Sequence, residues 1–299
     1  MAYPTVSAPY GLKPVNLIGG RVYAGSTRMF PIVNGYSTSL FNGDVVQIGT
    51  GANIGNLVAS TLAYNASSAV AGTIGVFVGC EYSTTGGPIY GKNRYQFWQA
   101  STTAPDATGY VVDDPQAVFQ AAVVVNPAGT GGSTTIAYVN PAYIGSNAYY
   151  IGAAAGNTGN TTTGDSLAGV AVSASATTGV PLTTSAPFRI VGVVPASAVT
   201  VSANATSSST TITLSASNSS IVPGMAVSGP GITQGSNTYV TAVSGTSVTI
   251  NTAVATAQSS AVSFSFTGYP EVLVAWNFGY HSYFNATGCL LYTSPSPRD

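Results

Sequence analysis

Short apolar runs separated by glycine and proline set the pattern of this chain. Val, Ile, Thr, Tyr and Phe gather at Asp44–Ile48, Thr73–Val78, Ala121–Val125, Arg189–Val194 and Val272–Trp276. β-branched and aromatic residues bounded by turn-forming residues predict short strands joined by tight turns. No segment sustains the i, i+3, i+4, i+7 apolar repeat of a helix over three turns. The nearest, Asp114–Gln120, begins with Asp-Pro but runs directly into Val123-Val124-Val125. The pattern predicts an all-β fold, a small β-barrel or β-sandwich.

A second unit is predicted inside the first. From about residue 198 to residue 268 the composition shifts to Ser, Thr, Ala, Val and Gly. Apolar and polar residues alternate at Thr211–Leu214, Tyr239–Val243, Ser247–Ile250 and Val262–Phe266, the period of a strand with one face buried. Ser244-Gly245-Thr246-Ser247 predicts a hairpin turn, with further turns at Pro223-Gly224 and Gly229-Pro230-Gly231. This reads as an inserted small β-sandwich or barrel, residues 198–268. The strands that flank it, ending at Val194 and starting at Glu271, are expected to lie side by side, because a hairpin tip tolerates an inserted domain best. The main β domain then takes residues 29–197 plus 269–288. Residues 1–28, with regularly spaced Pro and Gly, read as an extended N-terminal arm that orders when docked.

Charge changes the functional picture more than any motif. Only 5% of the 299 residues are Asp, Glu, Lys or Arg, and none lies between Ile190 and Pro270. An average soluble domain has roughly 25%. The net charge of −1 supplies no long-range field for phosphate backbones, so nucleic-acid binding by a basic face is not expected. So few charges of either sign also compromise solubility. They leave strand edges without their usual guard, which points to edges sealed by closure or by neighbouring subunits. The first residues show no basic, apolar signal-peptide pattern, and no apolar run of 18 residues predicts a membrane helix.

Candidate chemistry is sparse. His281, in Tyr280-His281-Ser282-Tyr283, is the single histidine and reads as a hydrogen-bonded strand residue rather than a base. Asp113-Asp114-Pro115 reads as a turn, with a cation site or a catalytic pair as alternatives; Asp106 and Glu81 are the other acids considered. No phosphate-loop or metal motif is present, so neither cofactor nor metal is expected. Cys80, within Gly75–Cys80, reads as a buried hydrophobe. Tyr90, Tyr95, Phe97 and Trp98 fit either a sugar-stacking platform or a core strand. Lys13, Arg21, Arg28, Lys92 and Arg94 place nearly all the basic charge early in the chain, as solvated strand positions or as a surface for an acidic partner. Together these features predict a structural or binding protein, not an enzyme.

Several blocks carry a resemblance: Ser7–Pro14 leading into Asn16–Gly20, then Ala24–Arg28, Gly75–Tyr82, Val111–Pro115 and Phe188–Gly192. They resemble a family of structural proteins of tailed bacteriophages from environmental samples, over most of residues 1–197 and 269–288. Gly43–Val46 followed by Ile74–Gly79 is similar to small β-rich head-decoration proteins of phages, and Val222–Ile232 to a module of phage virion proteins and fibres. The resemblance implies a cement subunit on the outer surface of the capsid. It would be a homo-oligomer, by family a trimer, bound to the major capsid protein, with the inserted module projecting outward. Tyr10, Lys13, Arg21 and Arg28 in the arm are the expected anchoring residues. The alternative is a receptor- or glycan-binding head fibre or tail protein. Residues 289–299, from Cys289 to Asp299, resemble an in-frame translation of a sequencing-library adapter. That makes Gly288 the expected last native residue and makes a Cys80–Cys289 disulfide unexpected.

Overall fold

The structure is a computed structural model. It describes residues 8–62, 72–83, 92–124, 139, 141–152, 159–172, 182–194, 198–223, 225–233 and 238–284. Among them the chain is all-β, built from three antiparallel sheets. The strands of the first half are β1 (Lys13–Leu17), β2 (Arg21–Val22), β3 (Arg28–Pro31), β4 (Val45–Ile48), β5 (Leu57–Ala59), β6 (Thr73–Tyr82), β7 (Asn93–Tyr95), β8 (Thr108–Val112) and β9 (Ala117–Ala122). Then follow β10 (Asn147–Ile151), β11 (Gly169–Ala171) and β12 (Phe188–Val194). The insert supplies β13 (Ala198–Ala205), β14 (Thr211–Leu214), β15 (Ala226–Ser228), β16 (Val240–Ser244), β17 (Ser247–Ile250) and β18 (Gln258–Thr267), and β19 (Glu271–Trp276) returns to the main body.

The first sheet runs β11-β10-β12-β19-β9-β1-β2 and the second β3-β8-β6-β4-β5, with β7 on the end of β6. They pack as a sandwich. Phe119, Phe188, Ile190, Val272, Val274 and Trp276 of the first sheet share one core with Val45, Val76 and Val112 of the second. The second sheet is buried on both faces. Phe77, Val111 and Val46 point the other way, into a core closed by Ile32, Leu40, Trp98, Ala104 and Ala107 from loops. That double burial explains why β6 reads as a continuous apolar run rather than an alternation.

Two glycines let the layers touch. Gly11 (φ +79°) and Gly43 (φ +99°) cross so closely that a Cβ on Gly11 would stand 2.7 Å from the Gly43 Cα. Leu12 N–H donates to the Gly43 carbonyl at 3.0 Å, and Gly43 N–H to Phe77 at 2.8 Å, stitching the chain ahead of β1 to the second sheet.

The insert forms its own sheet, β15-β18-β13-β14-β17-β16, around Ile212, Leu214, Val227, Val248, Ile250, Phe264 and Phe266. Along β14 and β17 the apolar residues are buried and the Thr and Ser between them are not, as the alternation predicts. The sheet curls until its outer strands meet at one bridge, Ala226↔Tyr239, where Val227 N–H donates to Thr238 and Val240 N–H to Met225. Ser244 pairs Ser247 across Gly245. None of the three sheets closes into a barrel, so the barrel alternative gives way to an open, sandwich-like arrangement.

Two expectations need correction. Residues 8–28 are not a free arm. Leu12 is fully buried, β1 pairs β9 with Lys13 opposite Gln120, and Arg28 opens β3, so a boundary at 28/29 would cut a strand. β9 exposes an edge that only a strand from the chain start fills, a long-range pairing that Pro and Gly spacing does not reveal. His281 lies between β19 and a short 3₁₀ turn (Ser282–Phe284) and not in a strand. Of the two alternatives for the aromatic run, Trp98 takes the core one, since it is fully buried. Residues 289–299, with Cys289 and Gly288, lie outside the described residues, as does Tyr90.

β12 and β19 pair with Val194 opposite Glu271, so the insert leaves and re-enters the main body between neighbouring residues. Excision of residues 198–267 is expected to leave the two-sheet body folded, and the excised module is expected to fold alone. Separate cooperative thermal transitions by circular dichroism check both; a body that fails to melt cooperatively would show that the insert is needed for folding.

Candidate functional site

The four expected anchoring residues do not form one patch; each is held by its own chain. Tyr10 OH donates to Glu271, which also accepts from Gln120 Nε2 at 2.9 Å. Burial first, then the Glu271 carboxylate, pushes the Tyr10 hydroxyl well above its usual range. Lys13 Nζ lies 2.8 Å from Asp165 Oδ1 and 5.6 Å from the centre of the Tyr10 ring. Arg21 donates to Gln116 across the β1–β2 margin. Arg28 Nε stands 3.0 Å from Asp113 Oδ2 and donates through a terminal nitrogen to Tyr283 OH at 2.7 Å, while that hydroxyl donates to Asp113 at 2.8 Å. Tyr10 and Lys13 are neighbours; Arg28 stands on the edge of the other sheet. Lys13 and Arg28 are already paired within the chain, so an acidic partner would have to compete with Asp165 and Asp113.

The candidate acids are spent in the same way. Asp114 accepts the Gln116 N–H at 2.7 Å, forming the expected Asx turn before β9. Asp106 accepts the Ser83 backbone N–H and hydroxyl, and these bonds hold its carboxyl below the usual range. Glu81 accepts from Tyr110 OH and lies 3.9 Å from Lys92. His281 is fully buried and its Nδ1 accepts the Tyr283 N–H at 3.2 Å; burial pushes the imidazole below its usual value, so the ring is neutral. Among the described residues no three of His, Cys, Asp and Glu come together to hold a metal ion. Among the described residues no helix is long and apolar enough to cross a membrane.

Among the described residues a concave feature of mixed chemistry opens on the second sheet. It is a cleft of about 590 Å³ lined by Gly25, Thr27, Asn42, Val78, Gly79, Cys80, Arg94, Tyr95, Gln96 and Tyr110. A bulge makes it. The register of β6 against β8 slips between Phe77 and Gly79, and Gly79 (φ +140°) has the Tyr95 carbonyl 2.9 Å from where a Cβ would be. Across this bare stretch the Arg94 guanidinium sits 4.7 Å from the Tyr110 ring centre. Tyr95 stacks on Tyr82 at 4.3 Å. Cys80 is a free thiol that donates to the Phe97 carbonyl at 3.4 Å, and burial pushes its pKa up to about 12, so it is not a nucleophile.

One buried acid escaped the sequence reading. Asp44, beside Gly43, accepts the Phe41 N–H at 2.8 Å and the Ser166 hydroxyl at 2.6 Å. Burial outweighs both bonds and raises its pKa from 3.8 to about 6. A carboxyl that binds its proton more tightly folded than unfolded favours the fold at low pH, and this contribution is lost as pH rises from about 4 to 6. The difference is of the order of 3 kcal/mol. Asp44→Asn is expected to remove the titration, so the difference in thermal midpoint between wild type and variant should shift in the variant's favour from pH 4.5 to pH 7. Parallel pH profiles would refute a buried titrating Asp44.

No protein-family model matches the chain, and neither a curated protein nor a solved structure matches it.

Proposed function

We propose that this chain is a virion structural protein, a decoration or cement subunit that reinforces a phage head through contacts with the major capsid protein and with copies of itself. The observation that carries the reading is an apolar margin on the first sheet. Val15, Ile18, Val22 and Val191 are exposed there, Val22 by 84%, and Ile18 and Val191 line a shallow groove of about 210 Å³ with Leu17, Val118 and Leu273. Single exposed apolar residues need no explanation; a contiguous set at a sheet edge marks an interaction surface. Beside it β2, which carries Arg21, pairs on one side only and forms the open edge of the sheet.

The scarcity of charge supports the same reading. Lys13, Arg28 and Lys92 are paired within the chain, so little free charge is left to keep a solitary particle dispersed. Subunits that reinforce a shell act by added interface, and lasting interfaces are large and relatively apolar. The phage context and the trimeric state come from the resemblance of the blocks between Ser7 and Gly192, which also favours the outer capsid surface. An enzyme has less support, because the acids and the histidine are engaged in turns, ion pairs and core packing. The fibre or tail alternative, with the insert as adhesive tip, has only Tyr239 in that module to offer a sugar ring.

The expected behaviour is a stable oligomer that co-sediments with phage heads. Ile18→Glu with Val22→Glu should weaken attachment by at least about tenfold, equivalent to some 1.4 kcal/mol, with the thermal midpoint little changed. Analytical ultracentrifugation and head co-sedimentation read both. A monomer at high concentration that leaves heads bare would overturn the assignment.

A further inference from the structure

We propose that the cleft on the second sheet is a binding site for a carboxylate-bearing sugar, with Arg94 as the group that receives the carboxylate. This goes beyond the assembly reading and does not rest on it, since the cleft and the apolar margin lie on different sheets.

The argument starts from what Arg94 does not do. The cations Lys13, Arg28 and Lys92 each have a carboxylate oxygen within 4 Å; Arg94 has none among the described residues. It is exposed on β7, yet its guanidinium is held over the Tyr110 ring, and the Tyr110 hydroxyl is in turn fixed on Glu81. Held over the Tyr110 ring and hydrogen-bonded to that tyrosine, the guanidinium keeps its remaining N–H groups for a ligand, and a planar guanidinium receives a carboxylate through two parallel hydrogen bonds. Stacking thus pre-orients the fork at little entropic cost on binding.

The remaining wall is neutral and rich in hydrogen-bonding groups. Thr27, Asn42 and Gln96 stand around the opening, and Gln96 is itself steadied by a 3.2 Å bond to Asp165. Hydroxyl, amide and ring groups without charge suit a ligand covered in hydroxyls. One cation among these groups suits one negative charge. Glu81 and Asp165 lie close by, and both disfavour a phosphate dianion. The cleft's volume falls within the roughly 300–1,000 Å³ of small-molecule sites. Gly79 is what makes the room, because any side chain there would meet the Tyr95 backbone.

The test compares D-galacturonate with D-galactose, which differ at one carbon, carboxylate against hydroxymethyl, with inorganic phosphate as a third probe. Binding to the full chain is followed by two-dimensional NMR of the amides of β6 and β7. Galacturonate is expected to saturate in the millimolar range and galactose to bind at least about tenfold more weakly. Arg94→Gln should abolish that preference; Arg94→Lys should retain only part of it, because charge remains and the planar fork does not. Since Arg94 is exposed, both variants should melt close to wild type, which separates a lost site from a lost fold. Equal binding of the two sugars, an undiminished preference in Arg94→Gln, phosphate displacing galacturonate at matching concentration, or no saturation by about 50 mM would each overturn the proposal.

Discussion

The joint at Gly11, Gly43 and Asp44 is the constraint on which the two-sheet body depends. Two backbones cross with no room for a side chain at either glycine, and a carboxylate is sealed beneath the crossing. Asp44 binds the Phe41 backbone in its own loop and Ser166 in the segment before β11, so one side chain ties a loop of the second sheet to the first. Val45 N–H, one residue on, donates to the buried Tyr150 hydroxyl of β10 at 3.1 Å, a second tie between the layers. Apolar burial drives the layers together without fixing how they sit, because it is non-directional. The hydrogen bonds at this joint fix the register, and an unpaired polar group there would carry a desolvation penalty of about 1–3 kcal/mol.

Charge is spent with economy elsewhere too. The ion pairs bridge segments distant in sequence: Lys13 to Asp165, Arg28 to Asp113. Exposed pairs of this kind contribute little individually, about 0–1 kcal/mol. Their effect is to occupy Lys13 and Arg28 within the chain. The outward face of the insert is then left to Ser and Thr, which keep a strand surface polar without repulsion. In the insert the one bridge between β15 and β16 partly seals an edge that charge would ordinarily guard.

Legibility in the sequence followed locality. β14, β17 and β18 announce themselves by alternation, because one face of that sheet is buried and the other wet. β12 and β19 could be paired in advance because a coherent insert separates them. β1 was illegible: it carries Pro14, shows no clean burial alternation, and joins the sheet through β9, a hundred residues on. Asp44 could have been suspected as a lone acid beside an apolar run, but its Ser166 partner is set by tertiary contact. The cleft was half visible. Tyr95 stood out among the aromatics and Arg94 among the cations, yet the bulge at Gly79 that unites them depends on β6 slipping against β8.

The neighbouring ends of the insert have a wider consequence. Because Val194 and Glu271 face each other across a ladder, whatever is spliced between them closes a loop that the scaffold has already closed. The entropic cost of such a loop grows only slowly with its length. That junction has the geometry of a socket, in which segments of many lengths close between the same two residues without redesign of the body beneath.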